Sequence, residues 1–277
     1  MKFRALKYTA AFLLPITTFV SFTCDGLWTF LPVAFSFGLI PALELFIPAK
    51  RTNTISISVV LREKDPLYDA VLYSTVIIQW AFLCWFLFTI GNTSTSVLEL
   101  VGRITGMGLM CGVLGINVAH ELGHRRKEIE QKMSQAMLLS SLYMHFFIEH
   151  NQGHHRNVGT NEDPGTARPG EPIYLFWPRT LITSYVSAWS IQTQSLKRAG
   201  KSFFSLQNTM LGFQLIQLGL MCLIIVFFGY WVAIYFVVAA LIGALLLETV
   251  NYIEHYGLQR HKVNENRYAD VAPRHSW

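Results

Sequence analysis

"VLELVGRITGMGLMCGVLGINVAHELGHRR", residues 97–126, decides how the chain is read. From Val97 to Ala119 only Glu99 and Arg103 are charged. A helix needs about 17–25 mostly apolar residues to cross a bilayer, so this stretch has the length of a span. It ends on "HELGH", residues 120–124, followed by Arg125 and Arg126. His120 and His124 stand at i and i+4, on one helical face and within reach of one ion. Neutral imidazole is the commonest metal ligand. One stretch therefore points to a membrane and to a metal at its edge.

Composition agrees with the membrane. Only 14% of the 277 residues are charged and 52% are hydrophobic, with a mean hydropathy of +0.36. A soluble domain carries about 25% charged residues. The net charge of +5 is dispersed and forms no stripe suited to nucleic acid. Cys24, Cys84, Cys111 and Cys222 are isolated and form no C-x-x-C, which excludes a disulfide framework or a zinc knuckle. They read as buried thiols.

Working outward, the pattern predicts one integral membrane domain over 1–277 with all-α architecture and six transmembrane helices. The spans are about Tyr8–Cys24, Leu27–Pro48, Val71–Ile90, Val97–Ala119, Met210–Phe228 and Tyr230–Leu247. The basic, apolar N-terminus lacks a small-residue cleavage site and reads as a retained first helix. "DG" at 25–26 and "FGY" at 228–230 suit tight helical hairpins. With the N-terminus in the cytoplasm, only Arg103 of the 22 Lys and Arg falls on the far side, a strong positive-inside signal. All nine histidines then share the cytoplasmic face, in a cap of about 120–205 and 248–277. Residues 133–149, "MSQAMLLSSLYMHFFIE", are apolar enough to mimic a span; they read as a helix packed at or above the interface.

"EHNQGHH", residues 149–155, repeats the i, i+4 spacing with His150 and His154, and turns His155 toward a neighbouring ion. "NYIEHYG" adds His255 at the exit of the last span. Six imidazoles from three segments, His120, His124, His150, His154, His155 and His255, converge on one face and suit two metals. Glu121, Glu149 and Glu254 adjoin these candidates and could accept their second ring N–H. His145, His261 and His275 read as scaffold. "HELGH" also matches the zinc-protease pattern H-E-x-x-H, with Glu121 as base. One catalytic zinc takes only three protein ligands. A metal transporter is a further alternative, although its ligands should lie near the midplane.

At these residues the chain resembles the membrane-bound alkane 1-monooxygenase family. "HELGH", "EHNQGHH" and "NYIEHYGL" resemble three of its histidine motifs. The similarity extends through "GTNEDPGTARPGEPIYLFWPRT", "GLIPALELF" and "RYADVAPRHSW". The resemblance implies a cytoplasmic non-haem diiron centre in a bacterial inner membrane protein. It implies terminal hydroxylation of alkanes with O2 as co-substrate, for alkane degradation, the electrons coming from NAD(P)H through rubredoxin reductase and rubredoxin. The related histidine-box desaturases and xylene monooxygenases are the alternative within this chemistry. No residue beyond the metal centre is expected to be catalytic. Ser36 is a candidate for the substrate path in the second helix. The family uses nine ligand histidines, of which six map here; its last motif, which supplies three, is absent. The chain is therefore expected to be C-terminally incomplete and impaired.

Overall fold

The computed structural model describes residues 5–46, 66–92, 95–264 and 267–270. Lys2, Arg4, Lys50, Arg51, Arg62, Lys64, Arg274 and His275, used above, lie outside the described residues. The all-α class holds. The helices are α1 Leu13–Thr23, α2 Gly26–Glu44, α3 Pro66–Asn92 and α4 Val97–Gly123. They continue as α5 Glu128–Leu139, α6 over 146–157, α7 Ile173–Arg198, α8 Thr209–Phe228 and α9 Tyr230–His255. A small antiparallel pair, β1 Lys262–Asn264 and β2 Arg267–Tyr268, follows.

Five of these helices, α2, α3, α4, α8 and α9, are long and apolar enough to cross a membrane. The remaining expected span is a shorter apolar run, Tyr8–Thr23, partly in 3-10 form. The expected hairpins sit on Gly26 (φ +63°) and Gly229 (φ +86°), left-handed positions that glycine adopts without strain. The cysteines differ from expectation. Cys111 is buried, but Cys84 and Cys222 are exposed on helices of spanning character, where the solvent is lipid rather than water.

The chain packs as two compact units. The first comprises residues 1–118 and 224–243. Its α4 starts with a capping box: the Glu99 N–H donates to Ser96 Oγ (3.3 Å) and the Ser96 N–H donates to Glu99 Oε2 (3.1 Å). Glu99 Oε1 also accepts from the Gly26 N–H at 2.9 Å, which ties the α1–α2 turn to α4. Arg103 is buried in α4 and donates to Asp25 and Thr95, both at 3.1 Å. A charge in a membrane helix persists only with such partners. Small residues let the helices approach closely. A Cβ on Gly243 of α9 would sit 2.7 Å from Cys111 Cβ and 2.8 Å from the Gly112 backbone nitrogen.

The second unit comprises residues 119–223 and 244–277. Ser134 Oγ of α5 donates to the Ala119 carbonyl at 2.6 Å, fixing α5 against the end of α4. The single helix expected over 133–149 is broken. Leu142 adopts φ +50°, the Leu142 N–H donates to the Leu139 carbonyl, and the Tyr143 N–H donates to the Leu138 carbonyl. These are the two bonds of a Schellman stop, so α5 ends and α6 starts afresh. Helix α7 buries a row at four-residue spacing: Phe176, Thr180, Ser184, Ala188, Gln192 and Leu196. The loop between α6 and α7 is held by two arginines. Arg179 donates to both Glu171 oxygens (2.6 and 2.8 Å) and to the carbonyls of Pro164 and Thr166. Arg260 donates to the carbonyls of Arg156 and Val158.

The Gly243 contact yields a test. Gly243→Leu should lose about 1–3 kcal/mol, as overpacked cores do, because backbone atoms cannot step aside. A Cβ on Gly219 of α8 meets nothing within 4 Å, so Gly219→Leu should leave stability unchanged. Equilibrium unfolding in mixed micelles reads the pair; equal losses would refute the close-approach argument.

Candidate metal centre

His120 sits in the last turn of α4 and His124 one residue beyond its end. Their rings lie 4.6 Å apart. His150 and His155 come from α6, whose segment His150–His154 is a π-turn. The His155 N–H donates to the His150 carbonyl, an i→i+5 bond. That wider turn brings the i+5 side chain toward the face of residue i. Consequently His155 joins His150, at 4.4 Å between rings, and both join His120 and His124. Ligand atoms of these four histidines all lie within 4.8 Å of one another. His120 and His150 are half-buried, whereas His124 and His155 are exposed.

The other two expected ligands form a neighbouring pair. His154 and His255, both buried, lie 5.3 Å apart ring to ring, and His154 is 5.1 Å from His150. The i, i+4 reading paired His150 with His154 on one ion; in the structure the π-turn gives His150 to the four-histidine group and leaves His154 beside His255.

The donors fit a metal. Nε2 of His124 and Nε2 of His155 face each other at 3.1 Å. His150 Nε2 is buried and has no hydrogen-bond partner among the described residues. Burial lowers the pKa of His124 and of His155, for which the charge of His124 and His154 adds to the effect. Burial, and then the neighbouring histidines, lowers that of His150 far more. The neutral ring, which is the ligand form, is therefore favoured. Imidazole donors suit zinc, copper, iron or nickel.

Asp163, in the quoted "NEDPGT" but given no role there, proves central to the surroundings. It is fully buried, and His154 Nδ1 lies 3.1 and 3.0 Å from its two oxygens. Thr166 Oγ1 and the Gly165 N–H donate to the same carboxylate. Burial opposes the His154 charge, but the Asp163 hydrogen bond and charge outweigh it, and the His154 pKa is raised. Asp163 is lowered in return, against its own burial. With Nδ1 engaged, His154 has only Nε2 to offer a metal.

The three flanking glutamates differ. Glu121 is half-exposed, with Oε1 3.8 Å from Arg125 Nε. Glu254 is also half-exposed, 3.9 Å from His255 Nε2. Glu149 is buried, with Oε1 lacking a partner, and burial, then Asp163, push its pKa up to about 8. A Cβ on Gly153 would come within 2.5 Å of that oxygen, so a larger residue there would push the Glu149 carboxylate aside. Glu149, His145, His150, His154, Thr180 and Glu248 help line a small cavity of about 10 Å³, room for about one water. His145 is buried between Tyr143 and Tyr185, Nε2 without a partner, and burial lowers its pKa to about 4. Glu248, also missed from sequence, accepts from Tyr143 (2.9 Å), Thr180 (2.9 Å) and Asn251 (3.2 Å). Its signal was available: it is the first acid in the apolar run of α9. His261 is exposed and joins no cluster.

Comparison with known proteins accords with this geometry. The family model described as fatty acid desaturase matches residues 94–277. Alkane 1-monooxygenase 1 of Alcanivorax borkumensis is 35% identical over 93% of this chain and 64% of its own length. Alkane 1-monooxygenase of Pseudomonas putida is 36% identical over 91% of this chain and 62% of its own. Alkane 1-monooxygenase 2 of Alcanivorax borkumensis is 30% identical over all of this chain and 75% of its own. The chain thus spans somewhat over three fifths of the length of the first two. A histidine cluster at the end of an apolar helix and similarity along nearly the whole chain place it in the alkane 1-monooxygenase family, within the larger fatty acid desaturase family.

Proposed function

We propose that this chain forms the membrane and metal-binding part of a non-haem diiron monooxygenase that hydroxylates the terminal methyl of alkanes. The observation that carries this reading is the group of four imidazoles whose ligand atoms lie within 4.8 Å of one another, with His154 and His255 beside it. His120, His124, His150 and His155 would hold one iron, and His154 with His255 would contribute to a second. Bound iron with O2 supplies an oxidant strong enough for an unactivated C–H bond, which offers no handle for acid–base or nucleophilic chemistry.

The chain's own residues do the rest. Asp163 holds His154 in the tautomer that presents Nε2. The apolar helices give access to a substrate dissolved in the bilayer, and Ser36, half-buried in the π-turn of α2, is proposed to keep that path open. The histidine face is assigned to the cytoplasm of the bacterial inner membrane. There rubredoxin, reduced through rubredoxin reductase and NAD(P)H, would deliver electrons. A zinc protease would need Glu121 beside its metal-bound water; instead that carboxylate leans toward Arg125.

His120→Ala and His154→Ala should each strip iron and abolish conversion of alkanes to 1-alkanols, while the helices still insert. Metal content and product analysis on the membrane-purified protein check this. Normal iron and turnover in His154→Ala would sink the ligand assignment.

Asp163→Ala should lower iron affinity about 10–100-fold, the usual cost of losing a carboxylate that orients a ligand histidine. His261→Ala, at an exposed position, should keep full iron. Titration of the metal-free protein with ferrous ion compares the two.

Ser36→Trp should shorten the longest alkane accepted without changing iron content. An unaltered product profile across chain lengths would remove Ser36 from the substrate path.

A further inference from the structure

Helix α7 is amphipathic in the wrong sense for water. Its buried row mixes Thr180, Ser184 and Gln192 with Phe176, Ala188 and Leu196, whereas several large apolar side chains point outward. Tyr174, Leu175, Ile182, Tyr185 and Val186 are exposed, with Leu175 and Ile182 at 64% each. At 3.6 residues per turn these positions fall on one arc about 120° wide. Trp189, on the same arc, stacks on Phe203 at 5.6 Å. The stripe then continues through exposed Phe204 and Leu206 to the start of α8 at Thr209, a helix of spanning character. The polar arc beside it holds Thr183 and Gln194, both exposed.

Charge follows the same plan. No Asp or Glu occurs over residues 172–247. Arg179 is taken up by Glu171, which leaves Lys197, Arg198 and Lys201 as exposed cations near the α7–α8 junction.

We infer that α7 lies in the membrane interface, its apolar stripe in the acyl-chain boundary and Lys197, Arg198 and Lys201 on anionic lipid headgroups. Three features select lipid over a soluble partner. The stripe is continuous with a membrane helix, the aromatics Tyr174, Tyr185 and Trp189 suit the headgroup region, and the segment lacks any acid that an anionic surface would repel. An apolar stripe with basic residues at its edge is what a helix lying in the interface plane presents. The loop carrying Asp163 leads directly into α7, so the membrane surface would also anchor the frame that holds His154.

The test uses the full chain with Cys24, Cys84, Cys111 and Cys222 replaced by alanine, reconstituted into vesicles of phosphatidylcholine with or without phosphatidylglycerol. A fluorophore is placed at Ile182→Cys or Val186→Cys on the stripe, and at Thr183→Cys or Gln194→Cys on the polar arc. Nitroxide-bearing acyl chains should quench the first pair and aqueous iodide should not, with the reverse for the second pair. Iodide quenching at residue 182 equal to that at 194 would overturn the placement and give the face to a protein partner. Independently, in the chain with its native cysteines, Lys197→Gln, Arg198→Gln and Lys201→Gln should each cut phosphatidylglycerol retention in native mass spectrometry roughly fivefold, the factor expected per basic residue at an anionic surface. Undiminished retention would refute the headgroup contacts.

Discussion

The histidine cluster depends on one hydrogen bond, from the His155 N–H to the His150 carbonyl. An ordinary α-turn would bond the 155 amide to residue 151 and carry the His155 ring away from His150. The π-turn instead places both rings 4.4 Å apart and leaves His154 to Asp163 and His255. Helix α4 uses the same device upstream. Its segment Cys111–Ile116 is also a π-turn, closed by the Asn117 N–H on the Gly112 carbonyl. Such turns are uncommon and gather at functional sites. The geometry of His150 and His155 is therefore a property of backbone winding as much as of residue choice.

This explains which parts of the site could be read from sequence. The apolar lengths gave the long helices, and "HELGH" stayed on one face because an ordinary turn links His120 to His124. "EHNQGHH" was legible only in part: i, i+4 spacing assumes 3.6 residues per turn, and the wider winding here keeps His154 5.1 Å from His150 but also brings His155 to 4.4 Å. Asp163 had no periodic signature at all. Its loop is placed by Arg179 and Arg260 gripping carbonyls many residues away, a tertiary arrangement that local pattern does not encode. The stop at Leu142 was equally hidden. Left-handed helix ends normally announce themselves with glycine or asparagine, and "LLSSLYMH" contains neither.

Exposure carries a different meaning along this chain than in a soluble protein. Arg103 and Glu248 are buried polar groups in apolar helices, and each is held by partners from other segments. Leu175, Ile182 and Val186 are exposed and held by none. In water both arrangements would be unfavourable, the first through desolvation and the second through lost apolar burial. In a bilayer the second becomes an asset and only the first needs hydrogen bonds. The chain places its polar groups inward and its apolar groups outward wherever lipid is the solvent. It reverses that pattern at His124 and His155, the exposed edge of the cluster.

That reversal bears on how the site can work. The cavity beside the cluster is lined by Glu149, Glu248, Thr180 and three histidines. Such a lining suits water and protons better than a hydrocarbon chain. The clustered histidines stand between that polar lining and the apolar helices. The ends of α4 and α9, capped by α6 and its π-turn, are where the sequence puts them.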